Sequence, residues 1–153
     1  MSTPAKKAPA PQIKVDDESY RAVAASSMLQ EVRLVSSSFD IKPEYFTNED
    51  QGFSLSFDGQ MAESRYDSSI GIAAANFLWS AFVKKNRKHL CKIKSQYLVV
   101  YTVDKNLNEE AALLFVKTVG RFAIFPYFRV LVSQYSSASS ANLPVLPVLK
   151  QHF

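Results

Sequence analysis

The sequence contains few of the residues that enzyme active sites and metal sites commonly use. Its one cysteine, Cys91, excludes a disulfide within the chain and favours a reducing compartment. Its two histidines, His89 and His152, have no other metal-ligating residue at a typical spacing. With four glycines, the chain has no phosphate-binding loop and no nucleophile elbow. We therefore expect no enzymatic activity, no cofactor and no metal ion.

Long apolar runs and a strong charge of either sign are also missing. No run reaches about 18 apolar residues, and the N-terminal segment has no signal-peptide core. We therefore expect a cytoplasmic protein without membrane insertion. The net charge of +4 comes from 18 Lys and Arg against 14 Asp and Glu. Such a small surplus permits a nucleic-acid partner but does not require one.

The chain of 153 residues is long enough for one domain with its own core, preceded by an arm. Residues 1–18 are rich in Pro, Ala and Lys and predict a disordered N-terminal arm, while residues 19–153 form the folded domain. Residues 19–29 have apolar side chains at helical spacing and predict a short helix. Three acidic residues at 16–18 would stabilise the positive end of that helix.

Residues 32–103 contain strand candidates with no helix between them. The four candidates are 32–41, 53–61, 70–83 and 90–103. The second alternates cleanly between apolar and polar residues, whereas the third is apolar on both faces. Consecutive strands without crossover helices predict an antiparallel sheet.

After the strands, the apolar spacing becomes helical. Residues 107–140 predict a helix, which Asn106 or Asn108 can cap. Pro126 lacks a backbone N–H and is predicted to begin a second helical segment that kinks off the first. Residues 143–153 are predicted to be an extended tail, because each proline disfavours helical geometry in the residue before it. The predicted fold is α+β, with a four-stranded antiparallel sheet followed by a broken, Pro-kinked helix.

Residues 84–94 (KKNRKHLCKIK) form a strongly basic run around the connection between the last two strands. One interpretation is a patch for phosphates or an anionic surface. The other is a solvated hairpin tip with lysines on the exposed strand face. We favour the second interpretation, because basic runs alone identify few nucleic-acid binders, and we do not expect a nucleic-acid partner.

Aromatic residues are more numerous than one thin sheet and one broken helix can bury. They include Phe77, Trp79, Phe82, Tyr97, Tyr101, Phe122, Phe125, Tyr127 and Phe128. The chain supplies one helical layer for a strand that is apolar on both faces, so we expect the missing cover from another subunit or a bound partner. For any single ring, ordinary core packing is at least as good an explanation.

Several segments resemble the SecB family of bacterial export chaperones. FPYFR, with Phe125, Pro126, Tyr127 and Arg129, is similar to the family's Leu-Phe-Pro-Tyr-Ala-Arg at the start of its main helix. The other similar segments are LPVLPVL (143–149), SSFDIKPEYF (37–46), SLSFD (54–58) and HLCKI (89–93). Together they span roughly residues 30–149. GRFAIFPYFR, with a helix before strand one, is especially similar to the SecB-like chaperones that accompany toxin–antitoxin systems.

The resemblance implies a homotetramer, a dimer of dimers, that binds unfolded or nonnative polypeptides along apolar grooves without ATP. Such a groove of rings and sheet edges can hold many sequences. From the excess of rings, the candidate groove residues are Phe77, Trp79, Tyr97 and Tyr101. The leading hypothesis is therefore a SecB-like holdase, with protein export as one role.

The positions through which the family meets the SecA motor are only partly kept. Asp40 keeps an acidic position and Leu90 an apolar one, whereas Ser36 and Lys92 stand where the family has acidic residues. The family's C-terminal helix has no counterpart before Phe153. These departures weaken the expectation of SecA binding.

Three alternative functions stay open at this point. The first is a chaperone or interaction module dedicated to one partner, such as an antitoxin. The second is a basic nucleic-acid-binding protein that acts through residues 84–94 and binds with a steep salt dependence. An enzyme acting on a small ligand comes last, because the sequence contains no evident acid–base pair.

Overall fold

The structure is a computed structural model that describes residues 14–47 and 52–149. Its helices and strands, in chain order, are α1 (Asp17–Ser26), β1 (Met28–Ile41), α2 (Glu44–Thr47), β2 (Phe53–Asp67), β3 (Ile72–Lys85), β4 (Lys88–Thr102) and α3 (Glu109–Ser139). The predicted α+β class and four-stranded antiparallel sheet are confirmed. Of the predicted arm and tail, residues 1–13 and 150–153 lie outside the described residues.

The strands lie in the order β1-β4-β3-β2, so the first strand is at one edge and the second at the other. β2, β3 and β4 follow each other as hairpins, and the positive φ angles of Asn86 (50°) and Arg87 (66°) form the tight turn between β3 and β4. β1 pairs instead with β4, where Met28 lies opposite Thr102 and Ile41 opposite Cys91.

One face of the sheet, which we call the inner face, is covered by α3. The largest fully buried side chains lie between these layers or where the other elements meet them; they are Val23, Phe77, Trp79, Ile93, Val99, Val116, Ile124, Phe128 and Leu146. α1 packs on α3, with the rings of Tyr20 and Phe115 centred 6.1 Å apart. Asp16 caps α1 by accepting a hydrogen bond from the backbone N–H of Ser19 at 2.8 Å.

α3 differs from the predicted pair of segments, because it runs as one helix from Glu109 to Ser139 with Pro126 inside it. Asn108 caps its N-terminus by accepting from the N–H of Ala111. An interior proline costs a helix about 3 kcal/mol. Here Phe125 and Phe128 are buried on either side, so core packing holds both halves in one helix. Pro126 itself is exposed, where water can reach the carbonyl group that its missing N–H leaves unpaired.

By length and composition alone, α3 would suffice to cross a membrane, with a mean hydropathy of 1.4 over its most apolar 18 residues. Of that window, 44% is buried in the fold. The apolar character of α3 therefore has an ordinary explanation, since a helix that covers a sheet must bury one side.

Candidate functional site

The four rings predicted to bind a client lie in the core. Phe77, Trp79, Tyr97 and Tyr101 are on the inner face of β3 and β4, and none is more than 4% exposed. Burial raises the pKa of Tyr97 to about 12 and raises that of Tyr101 as well. The structure brings the four rings into one layer beneath α3, and their contact with a client stays a prediction.

Trp79 is held between a glycine and an arginine. A side chain at Gly59 would overlap the indole ring, so the absence of a Cβ there lets the ring lie against the backbone of β2. Arg121 lies on α3, and its guanidinium is 5.2 Å from the centre of the Trp79 ring. Its Nε donates a hydrogen bond to the carbonyl oxygen of Gly59 at 3.1 Å. These contacts fix α3 against the edge of the sheet.

The FPYFR motif divides between core and surface. Phe125 and Phe128 are buried, with ring centres 5.2 and 5.5 Å from that of Trp79. Pro126 and Tyr127 are exposed, and Arg129 is half-buried. The motif therefore fastens α3 to the sheet with two rings and presents the other residues outward.

A groove that we call the helix groove follows the outward side of α3. It has a volume of about 640 Å³ and is lined by Pro126, Arg129, Val130, Ser133, Gln134, Ser137 and Val145. Val130 is 56% exposed and Val145, from the tail, is 73% exposed. Among the described residues the buried Nε of Arg129 has no hydrogen-bond partner. The helix groove therefore combines apolar and polar side chains, and Arg129 is the one charged residue of its lining.

A second groove, which we call the aromatic groove, lies beyond the C-terminal end of α3. It has a volume of about 320 Å³ and is lined by Tyr45, Phe53, Leu55, Val83, Ala141, Asn142 and Pro144. The rings of Tyr45 and Phe53 stack at 5.3 Å, and Phe46, next to them, is 53% exposed. The hydroxyl of Tyr45 donates to the carbonyl oxygen of Ala141 at 2.7 Å, which fixes the ring at the rim of the groove.

The residues carried over for SecA docking do not form one exposed surface. Asp40 is exposed and lies opposite Lys92 on the neighbouring strand, on the face of the sheet turned away from α3. Ser36 is on the same face, opposite Gln96. Leu90 is buried where the β3–β4 register shifts.

Groups suited to catalysis are not gathered in the described part of the chain. Within residues 14–47 and 52–149, no three His, Cys, Asp or Glu side chains are placed to hold a metal ion. Burial raises the pKa of the Cys91 thiol to about 11, so the thiol stays protonated near neutral pH and is a poor nucleophile. The surface offers apolar contact instead.

Sequence reasoning missed the aromatic groove. It placed Phe53 on a strand face without assigning a role, and it did not single out Tyr45 or Phe46. A signal was present, because the adjacent rings of Tyr45 and Phe46 follow closely after Pro43, where a strand ends, and cannot both enter the inner face of that strand.

No protein-family model matches this sequence, and no curated protein sequence matches it significantly. Among solved structures, the fold is similar to that of the SecB-like chaperone Rv1957 of Mycobacterium tuberculosis, which was solved in complex with a ChAD peptide from the antitoxin HigA1 (Rv1956). The TM-score is 0.72 at 17% identity, and the alignment covers 89% of this chain and 99% of that chain. A protein of unknown function from Streptococcus agalactiae aligns at a TM-score of 0.39 and 10% identity, a distance at which the likeness carries no argument. The resemblance drawn from FPYFR and its companion segments is therefore confirmed in the fold: this chain has the architecture of a SecB-like chaperone.

Proposed function

We propose that this protein is an ATP-independent holdase that binds unfolded or nonnative polypeptides. The observation that carries the proposal is the aromatic groove, a preformed apolar channel with rings on its wall and at its rim. Unfolded chains expose apolar side chains, and burying one of them against rings stabilises binding by about 1.5–3 kcal/mol. A groove with few polar groups does not demand one sequence, which suits a binder of many clients.

The proposed assembly is a homotetramer, a dimer of dimers, that works in the cytoplasm. Within the described chain β1 pairs with only one strand, β4, so its other edge offers unpaired backbone groups to a second copy. The same strand has several exposed apolar side chains, Met28, Leu29, Leu34 and Val35. Tyr127 and Val130 on α3 offer a second apolar surface, so two different contacts support a dimer of dimers.

A second candidate is a chaperone dedicated to one partner such as an antitoxin. It is favoured by the structural neighbour, which was solved with an antitoxin peptide. SecA is not part of the proposal, because Lys92 gives the sheet surface a positive charge where the family has a negative one, and Leu90 is buried.

The test compares a double variant at the aromatic groove with a single control variant at an exposed apolar position elsewhere. Phe46→Ser with Phe53→Ser removes one ring from the wall of the aromatic groove and one ring beside it. Ile70→Ser removes an apolar side chain that is 57% exposed in the β2–β3 turn, at the far end of β2. We measure light scattering while a chemically unfolded protein is diluted into each chaperone without nucleotide. The wild type and Ile70→Ser should keep the client soluble, and the groove variant should lose roughly tenfold in apparent affinity, as expected for the loss of one or two ring contacts.

Equal suppression of aggregation by both variants would place client binding elsewhere, and no suppression by the wild type would remove the holdase function. A panel of unrelated unfolded clients distinguishes the two candidates. Protection of several clients supports the general holdase, whereas protection of one client alone supports the dedicated chaperone. Circular dichroism confirms that each variant is folded.

A further inference from the structure

The face of the sheet turned away from α3, which we call the outer face, is not covered by any element that the structure describes. β3 and β4 place alternate side chains there, because their intervening residues point into the core. The outer-face residues of the two strands are Ile72, Ala74, Asn76, Leu78, Ser80, Phe82, Lys84, Lys92, Lys94, Gln96, Leu98, Val100 and Thr102. Leu78 is 49% exposed, so an apolar side chain stands open near the middle of this face.

The strand register gathers three lysines at the hairpin end of the outer face. Lys92 lies opposite Phe82 and Lys94 opposite Ser80, while Lys84 continues the row on β3. A hollow of about 460 Å³ lies beside them and is lined by Asp58, Gln60, Leu78, Trp79, Ser80, Phe82, Lys94 and Ser95. We call Leu78, Phe82, Lys84, Lys92 and Lys94 the outer-face patch.

The lysines of the outer-face patch form no ion pair within the described residues, and they outnumber the two nearest carboxylates, Asp40 and Asp58. None of its three lysines has a carboxylate within 4.0 Å in residues 14–47 and 52–149. Burial, together with the charges of Lys84, Lys92 and Lys42, lowers the pKa of the nearby His89, which indicates a locally positive field. A row of lysines without ion-pair partners favours an anionic partner.

We propose that the outer-face patch binds an acidic, extended segment of a partner protein. Lys92 and Lys94 are two residues apart on one strand, a separation of about 7 Å. Carboxylates at alternate positions of an extended segment have the same spacing. An apolar side chain further along that segment would then reach the hollow beside Leu78.

A peptide fits the outer-face patch better than a nucleic acid does. Asp40 on β1 lies opposite Lys92, and Asp58 on β2 lies opposite Ser80, so carboxylates flank the lysines on both edge strands. A phosphate backbone crossing the sheet from edge to edge would pass over these carboxylates, whereas a narrower peptide running along β4 passes over the lysines and has Asp40 and Asp58 only at its sides. The rings of Phe82 and His89 pack in a T-shaped arrangement with their centres 5.2 Å apart, which limits the use of Phe82 as a platform for stacking bases.

The experiment uses fluorescence anisotropy with three labelled probes and the full chain. The first probe is the peptide Gly-Asp-Ala-Asp-Ala-Leu-Ala-Val-Gly, the second has Asn in place of both Asp, and the third is a single-stranded oligothymidylate of equal length. The charge-reversal variant is Lys92→Glu with Lys94→Glu. The matched control is Lys105→Glu with Lys117→Glu, which makes the same change in net charge at exposed positions elsewhere.

We expect the wild type and the control to bind the acidic peptide more tightly than the Asn peptide, with a preference that weakens as salt is added. The charge-reversal variant should bind the acidic peptide roughly tenfold more weakly, as the loss and reversal of two exposed charge pairs implies. Leu78→Ser should weaken binding of both peptides.

Several outcomes would overturn the proposal. They are equal binding by the charge-reversal and control variants, no preference for the acidic peptide, or tighter lysine-dependent binding of the oligothymidylate. A change of oligomeric mass in the charge-reversal variant would assign the outer face to a second copy of this chain. Suppression of client aggregation, measured on the same samples, tests the aromatic groove separately, so either proposal can fail alone.

Discussion

At the scale of single residues, the contact between Trp79 and Gly59 is the tightest that the fold makes with a glycine on the inner face. The indole ring occupies the space that a side chain on β2 would need, and Arg121 closes over the ring from α3. The same arginine is 4.0 Å from Asp58. β2, β3 and α3 therefore meet at the ring of Trp79, and a change at Gly59 disturbs the packing of all three elements.

The change Gly59→Ala should destabilise the fold by about 1–3 kcal/mol, because the new methyl group overlaps a ring that has no room to withdraw. The free energy of unfolding in urea measures the loss. Ser56→Ala, at an exposed position on the same strand, is the control and should change stability little. An unchanged midpoint for Gly59→Ala would mean that the indole ring has another resting position.

At the scale of elements, α3 shows how tertiary packing overrides a local signal. Pro126 forbids one backbone hydrogen bond, yet buried side chains before and after it keep the helix continuous. The exposed position of the proline leaves the unpaired carbonyl group to water.

Replacing the proline by Pro126→Ala should therefore stabilise the protein. The restored hydrogen bond and the removed ring clash outweigh the greater freedom of the unfolded chain, and we expect a rise of about 1–2 kcal/mol in the free energy of unfolding. Pro147→Ala, in the exposed tail, restores no helical bond and is the control. A loss of stability in Pro126→Ala would show that the geometry imposed by the proline is needed for packing on the sheet.

The fold was predictable where a local pattern and the tertiary packing agree. Clean alternation located β2, and Asn108 was one of the two asparagines expected to cap α3. The continuity of α3 was not predictable, because it depends on which side chains near Pro126 are buried. α2 was missed because four residues are too few to show a helical period.

The candidate site was less predictable than the fold. An excess of rings indicated apolar contact surface, but a sequence does not state which face of a strand the helix covers. Trp79 and Tyr97 proved to lie under α3, whereas Tyr45 and Phe53 stand at a groove. The lysines of the outer face were expected on the exposed side of their strand, and the structure places Lys92 and Lys94 there.

At the scale of the whole molecule, β1 is the strand through which we expect two copies of the chain to associate. Among the described strands its outer edge has no neighbour, and this edge and its exposed apolar side chains are an aggregation hazard unless something covers them. A tetramer would hide this edge while leaving the aromatic groove, which lies near the opposite edge strand, to a client.

Leu34→Lys should therefore reduce the oligomeric mass, because a buried lysine on β1 would oppose pairing with a second copy. Size-exclusion chromatography with light scattering measures the mass, which for the wild type should be about four times the 17.1 kDa of one chain. Ile70→Lys, which adds the same charge in the β2–β3 turn, is the control. A wild-type monomer, or equal masses for the two variants, would contradict assembly through β1.

The pairing of β1 with β4 also determines how late in protein synthesis the first strand can be paired. β1 is the first strand to leave the ribosome, yet its partner β4 is the last strand to be synthesised. The side-chain hydrogen bond from Gln30 to Thr102, for example, joins residues 72 positions apart in the sequence. Such distant pairing slows folding, because a long loop must close before the contact forms. Throughout translation of the hairpins, the first strand stays without its neighbour and open to aggregation. The nascent chain thus passes through the same unprotected condition from which we propose the finished protein rescues its clients.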